Sequence, residues 1–331
     1  MSDNLTLKYR PKTLDDVVGQ KDVVKILKRQ IETNTWKNAY LFCGAYGDGK
    51  TTTARCFAYA LNGVEGSAIE IDAASNNGVD NIRELIADAQ QVSLDYKYKC
   101  YILDEVHMLT TQAWNAALKI IEEPPKNCIF IFCTTDPQKL PKTILSRVQR
   151  FEFKTISFDD IVERLKYIAD KEGITKYTYE ALYRLATLSD GHMRDAIKYF
   201  QQVAEASNEI TLDVVEAIFG IVEQEALRKL FNAMIAYNTE EALGILKNAK
   251  EHSVNLISFY DELTSLVMDC LVYKVTNNKD LVSTIDIDKL FTSSREDLYE
   301  LSRKFIDCRS RVNVDSVELI LKMIIMSRKQ A

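Results

Sequence analysis

The chain has 331 residues, 47% of them hydrophobic and 27% charged, with only 11 glycines and 5 prolines. This describes two or three folded, helix-rich domains with sizeable apolar cores, and excludes a disordered or fibrous chain. The formal net charge of −6 excludes a nucleic-acid binder that works by its overall field, so any such contact must come from a local patch. No apolar run reaches membrane-spanning length, and the N-terminal "MSDNLTLKYRPK" lacks the basic-then-apolar order of an export signal, so a cytoplasmic protein without membrane contact is expected. The 7 cysteines, Cys43, Cys56, Cys100, Cys128, Cys133, Cys270 and Cys308, form no CxxC pair, which predicts reduced thiols and no zinc.

In chain order, the first segment with a definite reading is "YRPKTLDDVVGQ", where Pro11 favours an extended path through Tyr9, Arg10 and Pro11. Between residues 39 and 154, "AYLFC", "AIEID", "CYILD" and "IFIFCTT" read as buried parallel strands and "RFEF" as a fifth, separated by helical patterns. That alternation predicts an α/β domain with helices on both faces of a parallel sheet. Directly after the first strand, "GAYGDGKTTTAR" puts Gly44, Gly49, Lys50 and Thr51 in the pattern G-x-x-x-x-G-K-[ST] ahead of a helix. Such a loop turns the N–H groups from Gly47 to Thr52, and the positive end of the helix, toward a triphosphate. Lys50 then reaches the β/γ oxygens and Thr51 binds Mg²⁺. Asp48 is unusual beside a polyanion, and an outward-pointing side chain would reconcile it with the motif.

Only Gly63 to Ser67 join that helix to the second strand. Ser75, Asn76 and Asn77 then precede the helical "VDNIRELI", whose N-terminal N–H groups can accept a backbone phosphate of DNA, with Arg83 further along; capping explains Ser75 or Asn76 equally well. In "CYILDEVH", Asp104 ends a strand and can hold Mg²⁺ directly or through water, while Glu105 can polarise an attacking water. His107 completes D-E-x-H, a helicase signature, but reads as the start of the segment leading into the helix of "TTQAWNAALKIIEEPP". Thr135 follows the fourth strand and falls beside the acidic pair. Arg147, in "LSRVQRF", lies beyond it and does not readily reach its own phosphate loop. After about Ser157 the strand signals stop and amphipathic helices follow, with Arg194 of "GHMRDA" early in one of them. The expected domains are 1–156, 157–220 and 221–331.

The motifs "LKYRPKTLDDVVGQ", "GDGKTTTAR", "EIDAASNNGVDNIREL", "YILDEVHMLTTQAWNAALKIIEEPP", "FCTTDPQKLPKTILSRVQRFEF" and "DGHMRDAIKYF" stand in one family's order. Over about residues 5–220 the chain resembles the gamma/tau subunit of bacterial DNA polymerase III, an AAA+ ATPase of the sliding-clamp loader. The resemblance implies an AAA+ core, a helical lid and a helical collar. It further implies ATP and Mg²⁺, and a pentameric ring with other clamp-loader subunits that opens a sliding clamp and places it on primer-template DNA in replication. By the same resemblance Tyr9, Arg10, Pro11, Val18 and Gly19 border the adenine, Thr135 is sensor 1 and Arg194 is sensor 2. Arg147 is the arginine finger, acting in trans on a neighbour's ATP, and the helix after Ser75–Asn77 faces the ring's central chamber.

Two departures stand out. Val148 replaces the cysteine of the usual Ser-Arg-Cys, and the cysteine-rich zinc module that the family carries between "ALN" and "AIEID" is absent. The sequence also ends at Ala331, short of the tau tail that binds polymerase and helicase, so a compact subunit, phage-encoded or from a divergent bacterium, is expected. The competing readings are a stand-alone DNA translocase or branch-migration motor, a ring subunit that binds ATP without hydrolysis, and a metabolic P-loop kinase. The set Lys50, Asp104, Glu105, Thr135 and Arg194 opposes the second, and nothing in the sequence supplies the acceptor pocket the third needs.

Overall fold

Five consecutive apolar residues, Ala39–Cys43 (β1), are all buried, and such a run satisfies both faces of a strand only inside a sheet covered on both sides. Around it lie Ala68–Asp72 (β2), Lys99–Asp104 (β3), Cys128–Thr134 (β4) and Gln149–Glu152 (β5). The order is β2-β3-β4-β1-β5, with every pairing parallel. The computed structural model describes residues 4–91, 96–219, 224–251, 255–282, 287 and 294–327. It divides into two compact units, Met1–Leu212 and Asp213–Ala331.

In the first unit the helices are Leu5–Lys8 (α1), Lys21–Glu32 (α2), Lys50–Asn62 (α3), Val79–Ala89 (α4), Thr111–Glu122 (α5) and Lys142–Leu145 (α6). Because side chains alternate along a strand, the sheet feeds two cores. Tyr40, Phe42, Ile102 and Ile131 pack with Leu27 of α2 and Phe57 of α3. Leu41, Tyr101, Leu103 and Phe132 pack with Ile82 of α4 and Trp114 of α5. The five strands expected from the sequence are all present, but β2 is not buried. It forms one edge of the sheet, and Ile69 and Glu70 are exposed.

The same unit continues through Phe158–Glu172 (α7), Tyr179–Leu188 (α8) and Met193–Ala206 (α9). Ser157 caps α7 by accepting the Asp160 N–H at 3.2 Å, and Thr178 caps α8 by accepting that of Ala181 at 3.2 Å; each satisfies an N–H that the first helical turn leaves without a partner. Leu212–Phe219 (α10) follows, and the boundary expected near 220 falls on residues outside the described ones.

In the second unit, Gln224–Ile235 (α11), Thr239–Glu251 (α12), Leu256–Thr276 (α13), Arg295–Arg309 (α14) and Val317–Met326 (α15) enclose a core that includes Leu230, Phe231, Phe259, Leu263, Phe305 and Leu321. Among the described residues no helix is long and apolar enough to cross a membrane.

What matters for a site is the carboxyl edge of the sheet. Cys43 at the end of β1 pairs with Thr134 at the end of β4, and Leu103 of β3 pairs with Phe132 of β4. The segments after β1, β3 and β4 therefore leave the sheet side by side, the position where open α/β sheets bind ligands.

Candidate nucleotide site

The phosphate loop runs from β1 into α3. Gly47 and Gly49 hold φ at 85° and 91°, in the left-handed region that costs an ordinary residue about 1–2 kcal/mol. Gly47 is tight as well, since a Cβ there would sit 2.9 Å from the Cβ of His192. Lys50 opens α3 and is buried, and its Nζ donates to the carbonyls of Gly44 at 2.9 Å and Ala45 at 2.7 Å. Those acceptors carry only partial charge, so the buried ammonium retains a strong preference for an anion. Thr51 Oγ1 donates to Asp104 Oδ2 at 2.6 Å. A hydroxyl and a carboxylate are the hard oxygen donors that Mg²⁺ takes beside phosphate oxygens, so the residues present fit both a triphosphate and its cation.

Glu105 follows Asp104 with φ 50° and ψ 42°, a left-handed conformation that a non-glycine residue keeps only where its surroundings enforce it. The carboxylate is gripped from two sides. Thr135 Oγ1 donates to Oε2 at 3.2 Å, and His107 Nδ1 lies 3.3 Å from the same oxygen. His107 Nδ1 is also 3.2 Å from Thr134 Oγ1, which accepts the Asp136 N–H at 3.0 Å. Oε2 is thus the held oxygen, and Glu105 itself lines the cleft.

The cleft is lined by Tyr9, Arg10, Pro11 and Val18, by Tyr46, Gly47 and Gly49 to Thr52 of the loop, by Asp104 and Glu105, and by Arg164, Met193 and Arg194. Arg10 Nε donates to Thr52 Oγ1 at 3.2 Å; burial, with Arg55 adding to it, lowers the guanidinium below its ordinary range. Tyr9 donates its hydroxyl to Glu172 on α7, and burial together with that carboxylate pushes the phenol up to about 12. Arg164 Nη2 donates to the Tyr9 carbonyl at 2.6 Å. Arg194, near the start of α9, donates through Nη1 to the Tyr46 hydroxyl at 2.7 Å. Residues from the N-terminal segment, the sheet edge, α7 and α9 therefore share one cavity.

Other expected site residues take different places. Gly19 and Gly44 do not line the cleft; a Cβ at Gly19 would meet Ile156 at 2.9 Å, and one at Gly44 would meet the Phe153 carbonyl at 2.7 Å. The Asp48 side chain does not point outward. It is 1% exposed, folded beneath the loop, and burial raises its carboxyl above the ordinary range despite the nearby Ala45 N–H, Lys50 and His192. Arg147 lies away from the cleft, with Nε 2.6 Å from Glu122 Oε1 and Nη1 donating to the Thr143 carbonyl at 2.6 Å.

Ser75 and Asn76 do not cap α4, whose N-cap is Gly78; they close a turn on Asp72, with Ser75 Oγ donating to Oδ2 at 2.6 Å and Asn76 Nδ2 to the carbonyl at 3.0 Å. The Asn77 carbonyl accepts the Thr110 N–H at 3.2 Å, and exposed Arg83 pairs with Asp80 at 2.9 Å. Among the described residues no group of three or more His, Cys, Asp or Glu is placed to hold a metal ion.

Sequence reasoning set His107 aside and passed over Gln20, Arg164 and His192. Gln20 is buried and joins the loop to the segment after β5, donating to the carbonyls of Asp48 at 3.2 Å and Lys154 at 2.6 Å. The D-E-x-H spacing could have marked His107. Nothing local marks Arg164, because only the packing of α7 brings it to the cleft.

The chain is 36% identical over 346 residues to DNA polymerase III subunit gamma/tau of Mycoplasma genitalium, covering 97% of this chain and 58% of the relative. It is likewise 36% identical over 314 residues to DNA polymerase III subunit tau of Bacillus subtilis, covering 88% of this chain and 55% of that one. The chain is a homologue of the DNA polymerase III gamma/tau subunits. It spans little more than half the length of these gamma/tau relatives. The family model for the DNA polymerase III delta subunit matches residues 64–157, a span from the approach to β2 through β5 that leaves out the phosphate loop. Among solved structures, the Thermotoga maritima RuvB Holliday junction branch migration motor superposes with a TM-score of 0.55 at 20% identity, covering 70% of this chain and 80% of that one. At that identity the likeness is one of fold.

Proposed function

We propose that this gamma/tau homologue is an ATPase subunit of a DNA polymerase clamp loader, spending ATP to open a sliding clamp and place it on primer-template DNA. The observation that carries the reading is the convergence on one cleft of Lys50, the Thr51–Asp104 pair, Glu105 with its two holders, and Arg194. That set is what ATP hydrolysis requires: a cation for the phosphates, hard oxygens for Mg²⁺, and a base for water.

In this reading the loop N–H groups and Lys50 bind the β- and γ-phosphates, while Tyr9, Arg10, Pro11 and Val18 border the base. Thr51 and Asp104 would hold Mg²⁺, which when bound supplies charge neutralisation for the phosphates. Glu105 receives a proton from the attacking water at Oε1, the oxygen free of Thr135 and His107. Thr135 keeps that carboxylate aligned. Arg194 exchanges the Tyr46 hydroxyl for the γ-phosphate and so reports the nucleotide to α7–α9.

Arg147 serves a neighbouring subunit's ATP in trans, supported by its place outside its own cleft. Residues 1–156, 157–220 and 221–331 act as core, lid and ring-forming collar. DNA lies against Ser75, Asn76, Asn77 and Arg83, supported by the start of α4, which has no side-chain cap to compete with a phosphate. The working assembly is a pentameric cytoplasmic ring with other clamp-loader subunits.

The test is the ATPase rate of the assembled complex with and without a sliding clamp and primer-template DNA. Stimulation that needs the clamp supports the reading. Stimulation by branched DNA alone, with none from the clamp, would instead support a branch-migration motor.

A further inference from the structure

A buried carboxylate in the middle of a triphosphate-binding loop needs a reason. Asp48 is 1% exposed, and its Oδ1 has no hydrogen-bond partner. The group facing it is His192, whose Nδ1 is also buried without a hydrogen bond and lies 3.6 Å from Oδ1. That separation exceeds a formed hydrogen bond but leaves the two side chains facing each other at close range. Buried polar atoms nearly always find partners, so two without partners that face each other form a pair rather than two separate defects.

The location of the pair gives it a role. His192 is the N-cap residue of α9, and Arg194 stands two residues on, over the ring of Tyr46 at 5.7 Å. Packing leaves this corner little slack. A Cβ at Gly47 would meet His192 Cβ at 2.9 Å, and one at Gly191 would meet Thr155 Cγ2 at 2.3 Å. Three successive loop residues, Tyr46, Gly47 and Asp48, thus meet the start of α9.

We propose that Asp48 and His192 are a pair of positioning residues that face each other across the loop–α9 contact and so hold the phosphate loop against the start of α9, the imidazole offsetting the loop's own negative charge where the triphosphate binds. This rests on the nucleotide reading above and deepens it. Without His192, an ionised Asp48 would be left with the Ala45 N–H and Lys50, the cation that the phosphates themselves need, and would oppose them. If the carboxylate goes as well, the opposition disappears. The pair therefore acts on nucleotide affinity in a way that depends on both members.

The experiment is a double-mutant cycle of parent, Asp48→Asn, His192→Ala and the double variant, read by equilibrium binding of mant-ATP with Mg²⁺ and by thermal unfolding without nucleotide. His192→Ala is expected to weaken mant-ATP binding roughly tenfold, the scale set by one charge losing its partner. Adding Asp48→Asn should recover most of that loss, and the unfolding temperatures should show the same non-additivity. A loss in His192→Ala that Asp48→Asn does not recover would show that the histidine acts only by packing on Gly47, and overturns the proposal; so does parent-like binding by His192→Ala. Should the parent bind no mant-ATP, the nucleotide reading itself fails, and additive melting temperatures would then reject the pair independently.

Discussion

Replacing Glu105 by glutamine is the sharpest probe of the site, because it changes the charge and leaves almost everything else in place. The amide oxygen can stay where Oε2 now accepts the Thr135 hydroxyl at 3.2 Å. The left-handed backbone at φ 50° costs glutamine what it costs glutamate, so fold stability should move by no more than about 0.5 kcal/mol. ATP affinity should persist, since Lys50, Thr51 and Asp104 are untouched. Only the proton acceptor is lost, and removing a general base slows hydrolysis by about 10²–10⁴-fold, or about 2.7–5.4 kcal/mol of barrier at 1.36 kcal/mol per tenfold. Binding is read by equilibrium fluorescence with an ATP analogue, and chemistry by single-turnover phosphate release. Parent-rate hydrolysis in Glu105→Gln, or a loss of affinity as large as that of Lys50→Ala, would refute the assignment. A companion variant checks the backbone argument: Glu105→Gly should lose hydrolysis in the same way yet gain about 1 kcal/mol in stability from relief of the left-handed strain.

Lys50→Ala should abolish detectable ATP binding, measured in the same fluorescence assay, because it deletes the buried cation of the loop. His107→Ala should slow single-turnover hydrolysis while leaving ATP affinity close to the parent's, and His107→Asn, whose amide can replace the Nδ1 contact to Glu105, should recover part of the rate. Arg147→Ala should cost at most about 1 kcal/mol of stability, since its ion pair with Glu122 is surface-exposed. In the assembled ring it should suppress stimulated hydrolysis by roughly 10³–10⁵-fold, and mixing Arg147→Ala with Lys50→Ala subunits should regain some activity where an intact cleft meets an intact arginine. Elemental analysis after chelation should find no stoichiometric zinc.

Much of the site was legible in the residues because its parts are local. The glycines, Lys50 and Thr51 are consecutive with a strand and a helix, and Asp104 with Glu105 ends a strand whose apolar run is unmistakable. Register then made the rest legible: in a parallel sheet the ends of β1, β3 and β4 must share one edge, so Thr135 had to fall near Glu105. β2 misled because its apolar residues alternate with acidic ones, Glu70 and Asp72, and a short alternating run does not say whether its second face meets a helix or water. The cap assignment at Ser75 and Asn76 stayed open in the sequence for a similar reason: either residue type closes an Asx-type turn as readily as it caps a helix, and only the path of the chain, which turns both back on Asp72 and leaves Gly78 as the cap of α4, chose between them.

By itself, then, the sequence determined everything carried by neighbours along the chain: the strand–helix alternation, the phosphate loop, the acidic pair and the amphipathic helices after them. It did not determine the direction in which Asp48 points, the grip of His107 on Glu105, or the arrival of Arg164, His192 and Arg194 at the loop. Those depend on how far α7 and α9 approach the sheet edge, and that distance is set by packing. Gly47 and Gly191 admit the start of α9 to within van der Waals contact of the loop and of Thr155, and no pattern along the chain encodes that approach. A carboxylate can turn inward only where something at its far end receives it, and the receiving group is brought there by the tertiary fold alone.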